Sequence, residues 1–296
     1  MQKSKFKIQN SAKVWTPVEL ARWTGTYLAE KGIAEGRLNA EILLADALGL
    51  RRLDLYLQFD RPLTPAELDV FKQRLRRRVR GEPLQYISAT AAFRDLTLAV
   101  DGRVLIPRPE TEVLVQAVLD WAGERQGLDV VDVGTGSGAI ALSLRHEGDF
   151  GRIVATDVSA DALDLARANR ERTLPDAEIE FRLGAAYAPI AGERYDIIVS
   201  NPPYAADDDR ASLPKEVADW EPAEALFGGR DGLDVVRRLI QGGPDHLRPG
   251  GLLALEIGAG QAATVAELVR STPSYSDPDV RLDLAGRERI VLARIE

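Results

Sequence analysis

The sequence predicts an α/β protein in which an N-terminal α-helical bundle precedes a parallel sheet wrapped by helices. Residues from about 17 to 81 carry apolar side chains at helical spacing, with short loops between them, which is typical of a small bundle. From residue 104 onward, short β-rich runs alternate with helical stretches, the pattern of a parallel sheet. With 296 residues and a hydrophobic composition of 45%, the chain is long enough for two domains.

Helix signals mark residues 1–82. One helix is predicted to begin at Thr16 and another at Thr64, because each threonine is followed by a proline at the first helical position. A helix between them is predicted to have Asn39 as its N-cap and to end near Gly49. These signals predict an N-terminal helical domain over residues 1–82.

The rest of the chain is rich in β-strand signals. Residues 83–103 alternate like short strands and are predicted to form a β-hairpin-like linker. Residues 104–296 are predicted to form the second domain, with seven strands and helices between them. The predicted strands are 128–133, 152–157, 178–183, 195–200, 252–257, 280–284 and 289–295.

The composition excludes several kinds of protein. The chain has no cysteine, which excludes disulfides, thiol nucleophiles and thiolate metal sites. His146 and His246 are too few for a histidine-rich metal centre, so we predict no metal site, and His146 is predicted to be a helix-end residue. No apolar run approaches the roughly 18–20 residues that span a bilayer. The N-terminal residues lack the apolar core of a secretory signal, so we expect a cytoplasmic protein without membrane segments.

The charge is unevenly distributed along the chain. The net charge of −8 is the sum of +6 over residues 1–85 and −14 over residues 86–296. An acidic C-terminal part is a poor binder of polyphosphate, so no sequence-specific DNA binding is expected. The basic part is compatible with contact to RNA or to an acidic protein. Within it, the arginine run 74–80 is predicted to be mainly a solvated helix face, with docking as the alternative.

A glycine-rich loop follows the first predicted strand and precedes a helix. Its residues are Gly134, Thr135, Gly136, Ser137 and Gly138. Asp157 ends the next predicted strand, 19 residues after Gly138, where a nucleotide site places a carboxylate against ribose hydroxyls. The pattern favours a nucleoside site over a glycine turn without a ligand. It leaves NAD and S-adenosylmethionine as alternatives.

A second loop follows the strand predicted over 195–200. Its residues are Asn201, Pro202, Pro203 and Tyr204. The prolines stiffen the loop and remove two N–H donors, so that the Asn201 side-chain oxygen and the Pro202 carbonyl are available to accept hydrogens from a substrate NH2 group. Tyr204 offers a flat face to a planar amide or base. Because an amide nitrogen is a poor nucleophile, orienting it between two acceptors is the help that methylation of such a group requires.

Six stretches carry a resemblance to a known family. They are DVGTGSGAIALSL, ATDVSADALDLARANR and IIVSNPPY, together with GEPLQYI (81–87), VLIPRPETEVLV (104–115) and EVADWEPAEALFGGRDGLDVVRRL (216–239). The first three are similar to class I methyltransferases that modify amino groups conjugated to a planar system. All six together resemble the release-factor glutamine methyltransferases of the HemK/PrmC type, over nearly the whole chain.

The resemblance implies a fold, a reaction and site residues. The fold is a Rossmann-like, seven-stranded class I methyltransferase domain with a reversed last strand, behind a helical substrate-recognition domain. The cofactor is S-adenosyl-L-methionine, and the partners are class 1 peptide chain release factors, methylated on N5 of the glutamine in their Gly-Gly-Gln motif. The residues implied to bind the cofactor are Gly134, Thr135, Gly136, Ser137, Gly138, Asp157, Ala186 and Asn201. Those implied to bind the glutamine are Asn201, Pro202, Pro203 and Tyr204, of which Asn201, Pro202 and Tyr204 are the catalytic ones.

The sequence departs from the family pattern after its third strand. The family has Gly-Asp or Ser-Asp there, followed by a bulky residue, and the acid meets the adenine amino group. Ala185 and Ala186 occupy these places, and an ungapped count from Asn201 puts Ala185 in the place of the acid. We therefore expect weakened cofactor binding, with Tyr187 partly filling the adenine pocket. Glu221 and Glu256 lie in family-like motifs and are expected to have structural roles.

Other functions remain as alternatives. An adenine-N6 nucleic-acid methyltransferase needs the same acceptor loop, but it must also flip a base out of a stack, and the acidic C-terminal part argues against it. A methyltransferase acting on a glutamine of a ribosomal protein is a nearer alternative. A non-catalytic protein that lost the cofactor is suggested by Ala185 and Ala186. An NAD dehydrogenase is disfavoured by the Asn-Pro-Pro-Tyr loop.

Overall fold

A computed structural model describes residues 13–296, and its chain divides into two compact units between Ser88 and Ala89. The division falls inside the segment 83–103 predicted as a linker. The first part of that segment is helical, and a two-stranded hairpin follows it. The secretory-signal prediction concerns residues that lie partly outside the described range. Within residues 13–296, no helix is both long and apolar enough to cross a membrane.

The first unit consists of helices. They are α1 (Pro17–Glu30), α2 (Gly36–Leu48), α3 (Asp54–Leu57), α4 (Pro65–Val79) and α5 (Leu84–Ser88). Thr16 and Thr64 each form a capping box with the glutamate three residues later, so both predicted helix starts are observed. The apolar faces of these helices enclose a core that includes Leu28, Leu44 and Phe71.

Asn39 was predicted to be an N-cap, and this is wrong. It lies inside α2, and its side-chain Nδ2 donates to the carbonyls of Ala34 and Glu35 at 3.2 Å each. Its Oδ1 accepts from Nε of Arg78 at 2.7 Å. Arg78 is 8% exposed, so the arginine run is not uniformly solvated. A buried guanidinium needs partners for its N–H groups, and Asn39 supplies one of them.

The second unit contains a hairpin, a sheet and the helices that cover the sheet. Its strands are β1 (Thr90–Phe93), β2 (Leu96–Ala99), β3 (Leu128–Val133), β4 (Phe150–Asp157), β5 (Glu180–Leu183), β6 (Tyr195–Ser200), β7 (Leu247–Glu256), β8 (Asp279–Leu282) and β9 (Glu288–Arg294). Its helices are α6 (Pro109–Ala122), α7 (Ala139–Glu147), α8 (Ala160–Thr173), α9 (Lys215–Trp220), α10 (Ala223–Leu226), α11 (Asp234–His246) and α12 (Ala262–Ser271). His146 lies in the last turn of α7, as predicted.

Seven strands form one sheet in the order β5-β4-β3-β6-β7-β9-β8. β9 runs antiparallel to both of its neighbours, and the other pairs are parallel. The predicted seven-stranded sheet with a reversed last strand is therefore confirmed. β7 begins earlier than predicted because Leu247 pairs with Tyr195 before a register shift.

Strand order explains where the site forms. β4, β3 and β6 are neighbours, and their carboxyl ends lead into the segment after Asp157, the glycine loop and the Asn201 loop respectively. Along β3, Val130 and Val131 face opposite sides of the sheet and enter two separate apolar cores. With both faces covered, the carboxyl edge of the sheet is the place left for a ligand.

Candidate active site

The glycine-rich loop is held by the backbone of the neighbouring strand. Gly134 N and Thr135 N donate to the carbonyl of Thr156 at 2.8 and 2.9 Å. Gly134 and Gly136 have φ of 77° and 54°, a left-handed conformation that favours glycine. A Cβ added to either would meet no atom within 4 Å. The loop therefore has open space above its backbone, where a ligand can approach it closely.

Gly138 has a different role in the loop. With φ of 85° it forms the N-cap of α7. A Cβ there would approach Leu142 Cδ1 to 3.1 Å and Ala166 Cβ to 3.4 Å. This glycine therefore lets the first turn of α7 pack closely, and it does not line the cavity described below.

Asp157 closes the loop from the neighbouring strand. Its Oδ2 accepts from Gly136 N and its Oδ1 accepts from Ser159 N, both at 2.9 Å. Burial raises the pKa of Asp157, and these backbone donors oppose that shift. Each carboxylate oxygen retains a second lone pair, so Asp157 can also accept from two hydroxyl groups of a ligand.

A buried carboxyl group lies beneath the same loop. Asp132 is 0% exposed, and its Oδ2 accepts from Thr135 Oγ1 at 2.6 Å and from Ala141 N at 3.2 Å. Burial raises the pKa of Asp132 to about 7. Its contacts connect the end of β3, the loop and the first turn of α7, so it fixes the loop and makes no contact with the cavity.

Asn169 on α8 joins the glycine loop to the hairpin. Its Nδ2 donates to the carbonyl of Ser137 at 2.9 Å and to that of Ala99 at 3.0 Å. Its Oδ1 accepts from Ala99 N at 2.6 Å. The side chain is 0% exposed, and both the nitrogen and the oxygen of its amide form hydrogen bonds. Sequence analysis missed this residue, since an asparagine inside a helix carries no signal of such a role.

Asn201 is held from beneath by a buried pair of side chains. Its Nδ2 donates to Thr111 Oγ1 at 2.9 Å, and Thr111 Oγ1 donates to Glu256 Oε2 at 2.7 Å. Thr111 is 4% and Glu256 is 0% exposed. Burial raises the pKa of Glu256 to about 7. Thr111 comes from the first turn of α6 and Glu256 from the end of β7, so neither was connected with Asn201 by the sequence.

Tyr204 lies at the back of its loop. Its ring centroid is 5.7 Å from the guanidinium of Arg289, and burial together with Glu256 raises its pKa to about 12. Its carbonyl accepts from Gln261 Nε2 at 2.9 Å. Tyr204 is not among the residues that line the cavity, in contrast to the other three residues of its loop.

Two glycines pack directly on this loop. A Cβ added to Gly228 would lie 2.4 Å from the Pro203 carbonyl oxygen, and one added to Gly232 would lie 2.2 Å from the Tyr204 carbonyl oxygen. Neither position can hold a side chain without moving the loop. Gly228 and Gly232, in the sequence FGGRDGLD, therefore fix the position of the Asn-Pro-Pro-Tyr backbone.

Glu221 holds the segment before α6. Its Oε2 accepts from Ile106 N at 3.2 Å, and its Oε1 accepts from Arg108 at 2.5 Å. The Glu221 side chain is 1% exposed. This contact joins the LIPRPE sequence to the WEPAE sequence, and both contribute residues to the cavity. The expected structural role of Glu221 agrees with these contacts.

One cavity of the second unit collects most of the predicted site residues. Its lining includes Gly134, Thr135, Gly136, Ser137, Asp157, Ala186, Asn201, Pro202 and Pro203. Gly138 and Tyr204 are the predicted site residues outside that lining. The lining also includes Thr111, Val158 and Glu224, which sequence analysis did not assign to the site. Val158 is 60% exposed, and a large exposed apolar side chain directly after Asp157 was a signal that could have been used.

The structure corrects the description of the segment 185–187. Ala186 lines the cavity with φ of 45°, whereas Ala185 is exposed and does not line it. Ala186 is therefore the alanine that faces the cavity. Tyr187 was expected to fill the pocket, but its hydroxyl donates to the Leu239 carbonyl at 2.6 Å and its ring stacks on His246. Its side chain belongs to the core beneath α11.

The fold is that of class I methyltransferases. A crystal structure described as a methyltransferase from Pyrococcus furiosus has a similar fold, with a TM-score of 0.53 at 20% identity, over 76% of this chain and 98% of that chain. Residues 19–88 match the family model described as the PrmC N-terminal domain. Residues 109–217 match the model described as the methyltransferase small domain.

Curated relatives identify the family more closely. A release factor glutamine methyltransferase from Geobacter sulfurreducens is 41% identical over 96% of this chain and 98% of its own. One from Chlorobaculum tepidum is 44% identical over 92% of this chain and 94% of its own. The chain belongs to the release factor glutamine methyltransferase family, and the resemblance seen in its motifs is confirmed.

Proposed function

We propose that this chain transfers a methyl group from S-adenosylmethionine to the side-chain amide nitrogen of a glutamine in a class 1 release factor. The glutamine is the one in the Gly-Gly-Gln motif. The names of the relatives support the substrate. The observation that carries the proposal is the cavity, in which a glycine loop and an acidic residue for a nucleoside lie beside a loop with two free acceptors for an amide.

The cavity fits S-adenosylmethionine. The open backbone of Gly134 and Gly136 can receive a ligand without steric conflict. Asp157 retains lone pairs for the two ribose hydroxyls, and the exposed side chain of Val158 offers an apolar surface to adenine. We assign these residues, with Thr135, Ser137 and Ala186, to cofactor binding. When bound, S-adenosylmethionine supplies an electrophilic methyl group.

The acceptors for the substrate amide are Asn201 and Pro202. Asn201 uses its Nδ2 on Thr111, and its Oδ1 accepts no hydrogen bond from any residue within 13–296. The Pro202 carbonyl likewise has no donor in that range. Both residues line the cavity. Two fixed acceptors can hold the two hydrogens of a primary amide, and they favour the positive charge that develops on its nitrogen.

Orientation accounts for most of the catalysis in this proposal. The glutamine nitrogen needs no strong general base while it attacks, since its protons become acidic only as the new bond forms. Holding the nitrogen in line with the methyl group lowers the activation barrier by several kcal/mol, which is roughly the effect seen in oriented intramolecular reactions. Pro203 and the glycines that pack on the loop keep the acceptors in place.

The helical first unit is proposed to recognise the release factor. Residues 1–85 carry +6 of charge, and the unit exposes apolar side chains on and beside α3: Leu53, Leu57 and Phe59. An exposed apolar group beside basic residues suits a protein partner. We propose that the enzyme acts in the cytoplasm, where its release-factor substrate functions.

Labelled methyl transfer tests this function directly. The protein is incubated with labelled S-adenosylmethionine and a class 1 release factor, and the Gly-Gly-Gln peptide is analysed by mass spectrometry. The expected result is one added methyl group on the glutamine and none on a factor with that glutamine replaced by alanine. Parallel incubations with DNA, RNA and ribosomal protein measure the alternatives. Methylation of any of these in preference to the factor would contradict the proposal.

A further inference from the structure

A buried hydrogen-bonded chain runs from Asn201 through Thr111 to Glu256. We propose that Thr111 and Glu256 are positioning residues that determine which end of the Asn201 side-chain amide faces the substrate. The inference rests on the proposed function, because it concerns the acceptor that Asn201 offers to the glutamine. Neither Thr111 nor Glu256 is required to touch the substrate in this role.

The direction of the chain follows from the proton of Thr111. A hydroxyl group has one proton, and Thr111 gives it to Glu256 Oε2 at 2.7 Å. Towards Asn201 the Thr111 oxygen can then only accept, so Asn201 must present Nδ2 to it, at 2.9 Å. The Asn201 Oδ1 is thereby left for the cavity. An ionised Glu256 thus selects one of the two orientations of the amide.

A protonated Glu256 removes this selection. Its carboxyl group can donate to Thr111, and Thr111 can then donate to Asn201. In that arrangement Asn201 uses its Oδ1 on Thr111 and turns its NH2 group to the cavity. An NH2 group facing the NH2 group of a substrate glutamine places two donors together, and the acceptor for the reacting nitrogen is lost.

The surroundings of Glu256 make both states accessible near neutral pH. Burial raises its pKa to about 7, with Glu110 acting in the same direction, while Thr111, Arg289 and Tyr204 oppose the shift. Its Oε1 has no hydrogen-bond partner in the described part of the chain, which is unusual for a carboxylate that is 0% exposed. Since these groups stabilise the charge incompletely, the orientation of Asn201 depends on pH.

Variants of Thr111 test the geometric part of the inference. Thr111→Val keeps the shape and removes the hydroxyl, and we expect kcat for release-factor methylation to fall about ten-fold or more. The dissociation constant for S-adenosylmethionine, measured by calorimetry, should change less than about three-fold. This is no more than the change expected on removal of a contact that contributes nothing to binding. Thr111→Ser, which restores the hydroxyl, should recover most of kcat. Thr272→Val makes the same change outside the site and should leave kcat unchanged.

The pH profile tests the role of Glu256. At saturating cofactor, kcat of the natural protein should fall as the pH is lowered through about 7, because Glu256 becomes protonated. Glu256→Gln keeps the shape without an ionisable group. Because its amide can either accept from Thr111 or donate to it, kcat should be reduced and should lack this limb of the profile. Saturation with cofactor removes effects on cofactor binding from the profile, and Glu256→Gln separates the titration of Glu256 from that of Asp132, which the variant retains.

The outcomes separate this inference from the proposed function. If the natural protein methylates the factor and Thr111→Val has the same kcat, the positioning role is overturned. Persistence of the acidic limb in Glu256→Gln also overturns it. If Thr111→Val and Thr111→Ser are equally impaired in a folded state, the hydroxyl is not the relevant group. If the natural protein methylates no release factor, both the function and the inference fail.

Discussion

At the scale of single residues, the site divides its work between two loops. Asp157 and the glycine loop line the cavity together with Asn201 and Pro202. This division was predictable, because both motifs follow strands whose carboxyl ends meet at one sheet edge. The hydrogen bonds that hold Asn201 were not predictable. Thr111 and Glu256 are separated by 145 residues, and only folding brings them together.

Replacing Asn201 should damage the chemical step and spare cofactor binding. Asn201→Ala removes one of the two proposed acceptors, and loss of such a preorganised group reduces kcat by about 100-fold or more. The dissociation constant for S-adenosylmethionine should stay within a few-fold of the natural value. Single-turnover kinetics and calorimetry measure the two quantities separately. A variant with half of the natural kcat would remove Asn201 from the mechanism.

Ala186 should be the position at which a carboxylate improves cofactor binding. It lines the cavity with φ of 45°, a conformation that aspartate tolerates better than alanine does. Ala186→Asp places an acceptor for the adenine amino group in the cavity, one residue after the position at which the family pattern has its acid. We expect cofactor binding to strengthen by up to about ten-fold, since a hydrogen bond to a charged group contributes about 1.5–3 kcal/mol in favourable geometry.

Ala185→Asp is the matched control, since it adds the same charge one residue away. Ala185 is exposed and lies outside the cavity lining. Cofactor affinity should therefore change little. A larger gain from Ala185→Asp than from Ala186→Asp in calorimetry would show that the adenine lies against the other alanine.

At the scale of elements, the positions of the strands could be predicted from the sequence. The places where regular structure is interrupted could not. The prediction 128–133 matches β3, and 195–200 matches β6, because each segment contains adjacent β-branched apolar residues, which are typical of a buried parallel strand. Asn39 was misplaced because its cap-like sequence lies within a helix, where its side chain serves the buried Arg78. Contacts made by one side chain across the core override a local signal.

The glycine segment after α10 should be as important to the site as the loop that it supports. Gly232→Ala places a Cβ 2.2 Å from the Tyr204 carbonyl oxygen, so the Asn201 loop must move. We expect kcat to fall more than ten-fold, because small displacements of oriented groups cost roughly this much or more. Thermal unfolding should occur at a lower temperature.

Gly250→Ala is the control for Gly232→Ala, because it introduces similar backbone strain without displacing the Asn201 loop. Gly250 has φ of 75°, close to the 77° of Gly232, but a Cβ there meets no atom within 4 Å. The substitution should cost about 1 kcal/mol of stability and leave kcat nearly unchanged. Equal kcat values in the two variants would mean that contact with Tyr204 does not control the site.

At the scale of the whole molecule, the two units are proposed to recognise different parts of one substrate. The second unit holds the cavity proposed for the glutamine, and the first exposes Leu57 and Phe59 at 70% and 60%. Replacing both with serine should raise KM for the intact release factor about ten-fold, as loss of an interface anchor does. KM for a short Gly-Gly-Gln peptide should not change, because the peptide lacks the rest of the factor.

Val70→Ser in the same unit provides the comparison for this variant. Val70 is 37% exposed on α4 and is not part of the group formed by Leu57 and Phe59. It should leave KM for both substrates unchanged. Equal increases in KM for factor and peptide in the double variant would contradict a recognition role for the first unit.

The Asn169 side chain gives the molecule a mechanical link between its candidate ligand site and the neighbouring β1–β2 hairpin. One amide fixes Ser137 in the glycine loop and both backbone groups of Ala99 in β2. When a ligand slows the fluctuations of the loop, the hairpin loses freedom as well, because the same rigid group anchors both. The Ala99 amide proton should therefore exchange with deuterated solvent more slowly when S-adenosylmethionine is bound, although it lies outside the cavity. In Asn169→Ala, ligand binding should protect the loop and leave exchange at Ala99 unaffected.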